Sequence, residues 1–268
     1  MIKNDKDVKV IVNERLNSSD IPQKEKEILE IVDRLLDYYS FVDNQTYPRP
    51  THPDPQKRKD AYFTLIAILI SLRTTLENEK KAVENFCNRF SDVNEVAKAD
   101  KEELMSLISC AGMPNKKAQN IIDVSNYIIE HYDGDINNIN NGDIESIKEK
   151  LFKIPGLGEK SVDCMLELAF DLPSIVVDTN VFRVISRVYF PEENLSFENK
   201  NDVLKIKNFI ESNLIKDYRL FQIVHTIILL HGKHICNSAP KCGRCVISDK
   251  CKYYSTQAKN IQLELNIF

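Results

Sequence analysis

The sequence predicts an all-α protein of two lobes, and three observations support this prediction. Apolar residues recur every three or four positions in nearly every segment, as on a helix with one buried face. No stretch alternates between apolar and polar side chains for long enough to predict a strand of useful length. Seven glycines in 268 residues are few for a protein built on tight β-turns.

Composition and charge limit the class of protein. A hydrophobic content of 43% in 268 residues is enough for one large core or two modest ones. The N-terminus has no apolar signal region, and the longest apolar stretch is too short to span a bilayer. We therefore expect an intracellular protein (cytoplasm or nucleoid, or nucleus) with no membrane partner. A net charge of −4 disfavours general nucleic-acid binding, so any DNA contact needs a local basic face.

The elements follow in chain order. Gln23 to Tyr39 has one apolar face, and the four prolines between Tyr47 and Pro55 predict a linker rather than a helix. Ala61 to Leu72 is apolar on nearly all faces, which predicts a helix at the centre of a bundle. Amphipathic helices are then predicted at 78–90, 101–110, 116–131, 144–152, 161–170, 206–214 and 218–231. We expect a six-helix barrel domain at 54–173 and a second domain formed by 1–53 and 174–268.

A glycine-rich turn lies between two of these helices. Pro155 ends the first helix, and Gly156 and Gly158, on either side of Leu157, permit a tight turn into the second. Small residues before a helix N-terminus allow main-chain N–H groups to approach a phosphate. The turn has the form of a helix-hairpin-helix DNA clamp, and an ordinary corner between two helices is the alternative.

Four of the seven cysteines are Cys236, Cys242, Cys245 and Cys251, separated by five, two and five residues. Four thiolates in a short basic loop can hold either zinc or a [4Fe–4S] cluster, and the spacing leaves both open. An odd number of cysteines disfavours a disulfide framework. The remaining three are predicted to be small buried residues.

The segment 151–190 resembles the hairpin-plus-aspartate signature of the endonuclease III family. It has an apolar-Pro-Gly-apolar-Gly hairpin, a lysine just after it, and Val177-Asp-Thr-Asn-Val-Phe-Arg-Val184 about eighteen residues later. The resemblance continues at lower density from Ala61 to Cys251. It implies a two-lobed helical DNA glycosylase fold, with Lys160 as the nucleophile and Asp178 as the carboxylate that activates it and stabilises the developing charge.

The cysteine loop also resembles the cluster loop of this family, both in its lead-in and in its place after the Lys/Asp motif. The resemblance implies a structural [4Fe–4S] cluster whose loop presents Lys241, Arg244 and Lys250 to DNA phosphates. One departure is the first cysteine gap, which is five residues where six is usual in the family.

Two further segments resemble family loops that enter DNA from the minor groove. Ser71 to Thr75 contains Arg73 where the bacterial pattern has glutamine, and Gly112 to Ala118 contains Met113 where that pattern has leucine. Methionine remains an apolar wedge, and arginine could bond to the unpaired base. The alternative is an arginine at a helix terminus and a buried methionine.

The resemblance implies a monomeric base excision repair glycosylase with AP lyase activity. Its expected partner is duplex DNA containing a damaged base or an abasic site, and its expected substrate is an oxidised pyrimidine. Relatives without the lyase step have another residue in place of the lysine, so Lys160 favours the bifunctional enzyme. Two alternatives stay open: a mismatch-specific uracil or thymine glycosylase on the same fold, and a non-catalytic DNA-binding module held by zinc.

Overall fold

The computed structural model describes residues 5–39 and 60–256, and every regular element in these ranges is helical. The all-α prediction is therefore confirmed for this part of the chain. The α-helices are α1 (Asp5–Leu16), α2 (Gln23–Tyr38), α3 (Ala61–Ser71), α4 (Leu76–Arg89), α5 (Val93–Ala97), α6 (Lys101–Leu107), α7 (Pro114–Tyr132), α8 (Ile144–Phe152), α9 (Glu159–Leu168), α10 (Thr179–Tyr189), α11 (Lys200–Asn213) and α12 (Tyr218–His234). The predicted linker at 47–55 lies outside the described residues.

The helices divide into two compact units. The described residues 60–172 form one unit, and 5–39 together with 173–256 form the other. We call them the hairpin unit and the cluster unit. Within the described ranges, no helix is both long and apolar enough to cross a membrane.

The hairpin unit is built around α3. All ten residues from Ala61 to Ile70 are buried, and α3 contacts α4, α7 and α9. The side chain of Asp60 starts the helix by accepting from the main-chain nitrogens of Tyr62 and Phe63. A helix buried on all faces needs neighbours on all sides, and this explains its central place.

The cluster unit is built around α12, which contacts α2 and α10. Leu220 to Leu229 is a continuous buried stretch. Asp217 caps the N-terminus of α12 and Asp178 caps that of α10, each through its carboxylate. Both caps are short-range features that a sequence pattern can predict.

The elements differ from the predictions in several places, and two whole helices, α1 and α10, were not predicted. The five-residue helix α5 and most of the N-terminal half of α11 have weak amphipathic patterns and were missed. Residues 101–110 form a shorter α-helix that is followed by a 3₁₀ turn at Ser109–Ala111. The cysteine loop, for which no helix was predicted, contains 3₁₀ turns at Cys242–Arg244 and Ser248–Lys250.

Candidate active site and cluster loop

A tight turn joins α8 to α9. The main-chain nitrogen of Leu157 donates to the oxygen of Ile154 at 3.3 Å, and both side chains are buried. Gly156 has a φ of +76°, and an added Cβ would lie 2.3 Å from the side chain of Asn120. Because the positive φ strains any residue with a Cβ, and an added Cβ would also displace the Asn120 side chain, this position favours glycine. At exposed Gly158, no described atom lies within 4 Å of an added Cβ.

Lys160 lies in the first turn of α9, directly after the hairpin. Its side chain is exposed, whereas Leu157 and Ser161 on either side of it are buried. These buried neighbours fix the backbone that carries the lysine and leave its amine accessible. Among the described residues, no side chain caps the N-terminus of α9, so its first N–H groups can receive an anion.

Asp178 belongs to the cluster unit and is the N-cap of α10. One carboxylate oxygen accepts from the main-chain nitrogens of Asn180 at 2.9 Å and Val181 at 2.8 Å. The other accepts from the side-chain amide of Asn180 at 3.2 Å. Asp178 therefore caps the N-terminus of α10. Capping also holds the carboxylate in one orientation, next to the positive end of a helix dipole.

Arg183, one turn further along α10, connects this cap to the start of the cysteine loop. Its guanidinium donates to the side-chain oxygen of Asn180 at 2.8 Å, to the main-chain oxygen of Gly232 at 2.8 Å and to that of Cys236 at 2.9 Å. An added Cβ at Gly232 would lie 2.7 Å from the Cβ of Asn180. Close packing of α12 on α10 therefore requires a glycine here.

The four loop cysteines line a single pocket in the cluster unit. Arg187 lines it too and donates to the sulfur of Cys236 at 3.4 Å and to the main-chain oxygen of Asn237 at 2.6 Å. His231 lies on the same pocket, with its Nε2 3.5 Å from the sulfur of Cys245. None of the seven cysteines forms a disulfide.

The thiols in this pocket are poorly solvated. Burial, with a smaller contribution from the neighbouring loop cysteines, raises the pKa of Cys245 to about 11. Burial also raises the pKa of Cys251. Because thiolates that repel one another are stabilised by a cation, binding of a cationic metal group here would displace protons.

Four soft sulfur donors around one cavity suit an iron–sulfur cluster or zinc. In the described residues, no group of three or more His, Cys, Asp or Glu side chains is already arranged to hold a metal ion.

The three basic residues predicted to face DNA differ in their surroundings. Lys241 and Arg244 are exposed. Lys250 is only a quarter exposed and forms an ion pair with Glu30 on α2. The neighbouring Asp249 pairs with Arg34 of the same helix at 2.7 Å. These two pairs attach the loop to α2, so Lys250 contributes to this attachment.

The two residues predicted to enter DNA share an unusual backbone. Arg73 and Met113 have φ values of 54° and 50°, in the left-handed region that residues other than glycine rarely adopt. Both are exposed, Met113 at 44%. The alternative of a buried methionine is therefore wrong. Each follows the end of a helical segment in the hairpin unit, α3 for Arg73 and the 3₁₀ turn at Ser109–Ala111 for Met113.

Several residues of the site were not identified from the sequence. Asn180 and Arg183 lie inside the quoted Asp motif, but their hydrogen bonds depend on how α12 packs against α10. Arg187 is one more turn along the same helix, and a three-to-four residue spacing on one face is the signal that could have indicated it. Lys117 is buried in α7, and no sequence pattern reports a buried lysine.

Comparisons with known proteins agree with this geometry. The family model for the HhH-GPD superfamily base excision DNA repair protein matches residues 66–207, just over half of the chain. Endonuclease III of Haemophilus influenzae is 29% identical over 204 residues, covering 75% of this chain and 89% of that protein. Endonuclease III of Thermotoga maritima is 28% identical over 208 residues, covering 77% and 90%.

Solved structures share the fold. A trapped endonuclease III–DNA covalent intermediate is 22% identical, with a TM-score of 0.67 and coverage of 87% of this chain and 98% of that one. A thermostable thymine-DNA glycosylase is 24% identical, also with a TM-score of 0.67, and covers 88% and 100%. The chain therefore belongs to the HhH-GPD superfamily of base excision DNA repair proteins, in which it is an endonuclease III-like DNA glycosylase.

Proposed function

We propose that this glycosylase removes oxidised pyrimidines from duplex DNA and then cleaves the strand 3′ to the abasic site through a lysine Schiff base. The observation that carries the proposal is the exposed amine of Lys160, held by buried neighbours immediately after the hairpin turn. A monofunctional glycosylase has no need of an accessible amine at this point. The similarity to the two endonucleases III supports the same activity.

The proposed chemistry assigns one role to each member of the catalytic pair. The carboxylate of Asp178 accepts a proton from the amine of Lys160 and stabilises the positive charge that develops on the sugar. The neutral amine attacks C1′, and the base leaves with the electron pair of the glycosidic bond. The C1′–O4′ bond then breaks as the nitrogen lone pair forms the imine, and O4′ takes up the proton that Asp178 holds. Removal of a C2′ proton then expels the 3′ phosphate, and hydrolysis of the imine regenerates the lysine.

DNA binding is proposed to use both units. In the hairpin unit, the N–H groups at Gly158 and the start of α9 would bind a backbone phosphate. Arg73 and Met113 would fill the space left by the extruded nucleotide. In the cluster unit, exposed Lys241 and Arg244 would contact phosphates. A net acidic chain can still bind DNA if its cations are local in this way.

Cys236, Cys242, Cys245 and Cys251 would hold a [4Fe–4S] cluster. The cluster would act as a cross-link that fixes the conformation of a loop whose regular structure is limited to two short 3₁₀ turns. Arg187 would donate to the Cys236 thiolate, and His231 would lie against that of Cys245. Hydrogen bonds from the protein to ligating sulfurs orient the ligands and offset part of their negative charge.

Borohydride trapping on a duplex with one abasic site tests the nucleophile. Borohydride reduces the imine and leaves the protein covalently attached to DNA. We expect the wild type to be trapped and Lys160→Gln to give no adduct. Lys153→Gln is the matched control, since it removes an exposed lysine just before the same turn and should still be trapped. Unchanged trapping of Lys160→Gln would exclude Lys160 as the nucleophile.

Base release from defined duplexes tests the substrate. We expect release of an oxidised pyrimidine such as thymine glycol, and much slower release of thymine from a G·T mismatch. The reverse preference would favour the mismatch glycosylase. Binding to duplex DNA without base release or trapping, together with zinc rather than iron, would favour the binding module.

A further inference from the structure

Lys117 is a buried lysine with two main-chain partners. Only 5% of the residue is exposed, and its Nζ donates to the carbonyl oxygens of Ile70 at 2.7 Å and Ala111 at 2.8 Å. Burial lowers the pKa of this amine, and nearby Glu79 opposes the effect. Burying an ammonium group is costly unless it is hydrogen-bonded, and the two carbonyls offset that cost.

The two carbonyls belong to the segments that carry the exposed left-handed residues. Ile70 is in the last turn of α3, three residues before Arg73. Ala111 ends the 3₁₀ turn, two residues before Met113. Residues other than glycine stay in the left-handed region only if their surroundings hold them there. One ammonium group thus joins the backbones that lead to both strained positions.

We propose that Lys117 is a positioning residue that holds Arg73 and Met113 at a fixed separation, so that both enter DNA in register when a nucleotide is extruded. The inference rests on the proposed function and extends it to a residue that touches neither DNA nor the reacting atoms. Its physical basis is preorganisation: two side chains that act on one site must be placed before the substrate arrives.

A purely structural role for Lys117 would give a different pattern of effects. A lysine that only stabilised the hairpin unit would, when replaced, lower the melting temperature and reduce every activity in proportion to the folded fraction. A positioning lysine, when replaced, would slow the step that requires extrusion of a paired base, even where the variant is fully folded. The two roles can therefore be separated below the melting temperature.

The test compares Lys117→Met with Tyr62→Phe. The Tyr62 hydroxyl is bonded to the Ser125 side chain at 2.7 Å, so this control removes a buried hydrogen bond between the same two helices, α3 and α7, away from both loops. The rate of base release is measured at saturating enzyme on a duplex with one oxidised pyrimidine. We expect a loss of roughly 10- to 100-fold for Lys117→Met, and less than about twofold for Tyr62→Phe at a similar melting temperature.

A double-mutant comparison identifies the route of the effect. If Lys117 acts through the two exposed residues, Lys117→Met should slow base release by less than about threefold in a background that already carries Arg73→Ala and Met113→Ala. The same loss in that background as in the wild type would overturn the inference. Lys117→Gln keeps two N–H donors and should recover part of the rate. It also serves as the test variant if Lys117→Met does not fold.

The outcomes separate this inference from the proposed function. An active wild type with unchanged base release in both Lys117→Met and Lys117→Gln overturns the positioning role alone. A wild type that releases no base from any duplex, with or without trapping at an abasic site, overturns the proposed glycosylase function and the inference with it.

Discussion

The side-chain amide of Asn180 donates to the carboxylate of Asp178 at 3.2 Å, while its side-chain oxygen accepts from Arg183 at 2.8 Å. Asn180 therefore lies between the proposed catalytic carboxylate and the guanidinium that binds the main chain of Cys236. The orientation of the carboxylate and the first turn of the cysteine loop depend on the same short network.

Replacement of Asn180 tests the part of this network next to Asp178. We expect Asn180→Ala to slow base release by roughly 10- to 100-fold, because one carboxylate oxygen loses the donor that orients it. Iron content should stay at the wild-type level, since the contacts of Arg183 with Gly232 and Cys236 remain. Normal base release in this variant would mean that the amide of Asn180 is not needed to orient Asp178.

The two hairpin glycines should respond differently to alanine. Gly156→Ala introduces a methyl group 2.3 Å from Asn120 at a φ of +76°, so we expect a loss of stability of about 1–3 kcal/mol. Gly158→Ala meets open space and should leave the melting temperature nearly unchanged. If a phosphate approaches this position, however, Gly158→Ala should weaken DNA binding about tenfold. Thermal unfolding and binding to an abasic-site duplex measure both effects, and equal affinity of Gly158→Ala and the wild type would argue against the phosphate site.

Arg73 and Met113, the two exposed residues with left-handed backbones, should affect the rate only when a base has to be extruded from the duplex. We expect Met113→Ala to lower base release from a duplex by roughly tenfold or more, because the wedge that fills the vacated space is removed. Arg73→Ala should change the dependence of the rate on the opposite base, since its donors would face that base. Rates on duplexes with each of the four opposite bases measure this, and wild-type behaviour of both variants would remove the two residues from the site.

The metal content of the purified protein distinguishes the cofactors. We expect the wild type to contain iron and sulfide and to show a broad absorbance band in the visible blue. In Cys242→Ser, we expect the bound iron and sulfide and the absorbance band to be lost. Cys110→Ser is the matched control, because this cysteine lies in the hairpin unit and bonds to the main chain of Asn78 at 3.5 Å. It should keep the colour. A colourless wild type containing zinc would contradict the cluster.

The cap of α12 predicts a pH dependence of stability. The side chain of Arg219 bonds to Asp217 and lowers the pKa of that carboxylate below its usual 3.8. Because the folded pKa is lowered, this stabilisation is complete above 3.8 and is lost as the pH falls through the folded pKa. We expect Asp217→Ala to cost about 1 kcal/mol at pH 7, and the difference from the wild type to shrink below pH 3.8. Unfolding by urea over this range measures it, and a constant difference would show that the carboxylate charge contributes nothing.

The sequence by itself determined the features that depend on neighbours along the chain. Helical periodicity predicted the all-α class, and the buried helix at Ala61 was recognisable because every face is apolar. The positive φ of Gly156 is a property of its own turn, so the glycine-rich pattern was sufficient to indicate this position. The four loop cysteines were visible because they lie within sixteen residues of one another in the sequence.

Only the tertiary structure decided which distant groups meet. Lys117 reaches Ile70 across 47 positions, Arg183 reaches Cys236 across 53, and Lys250 reaches Glu30 across 220. Each is a charged side chain whose partner lies on another element and is set by tertiary packing. In a sequence, a charged residue is compatible both with an exposed position and with a buried hydrogen bond. The partners of these side chains therefore follow from which helix faces are buried together, because that burial brings residues far apart in the chain into hydrogen-bonding distance.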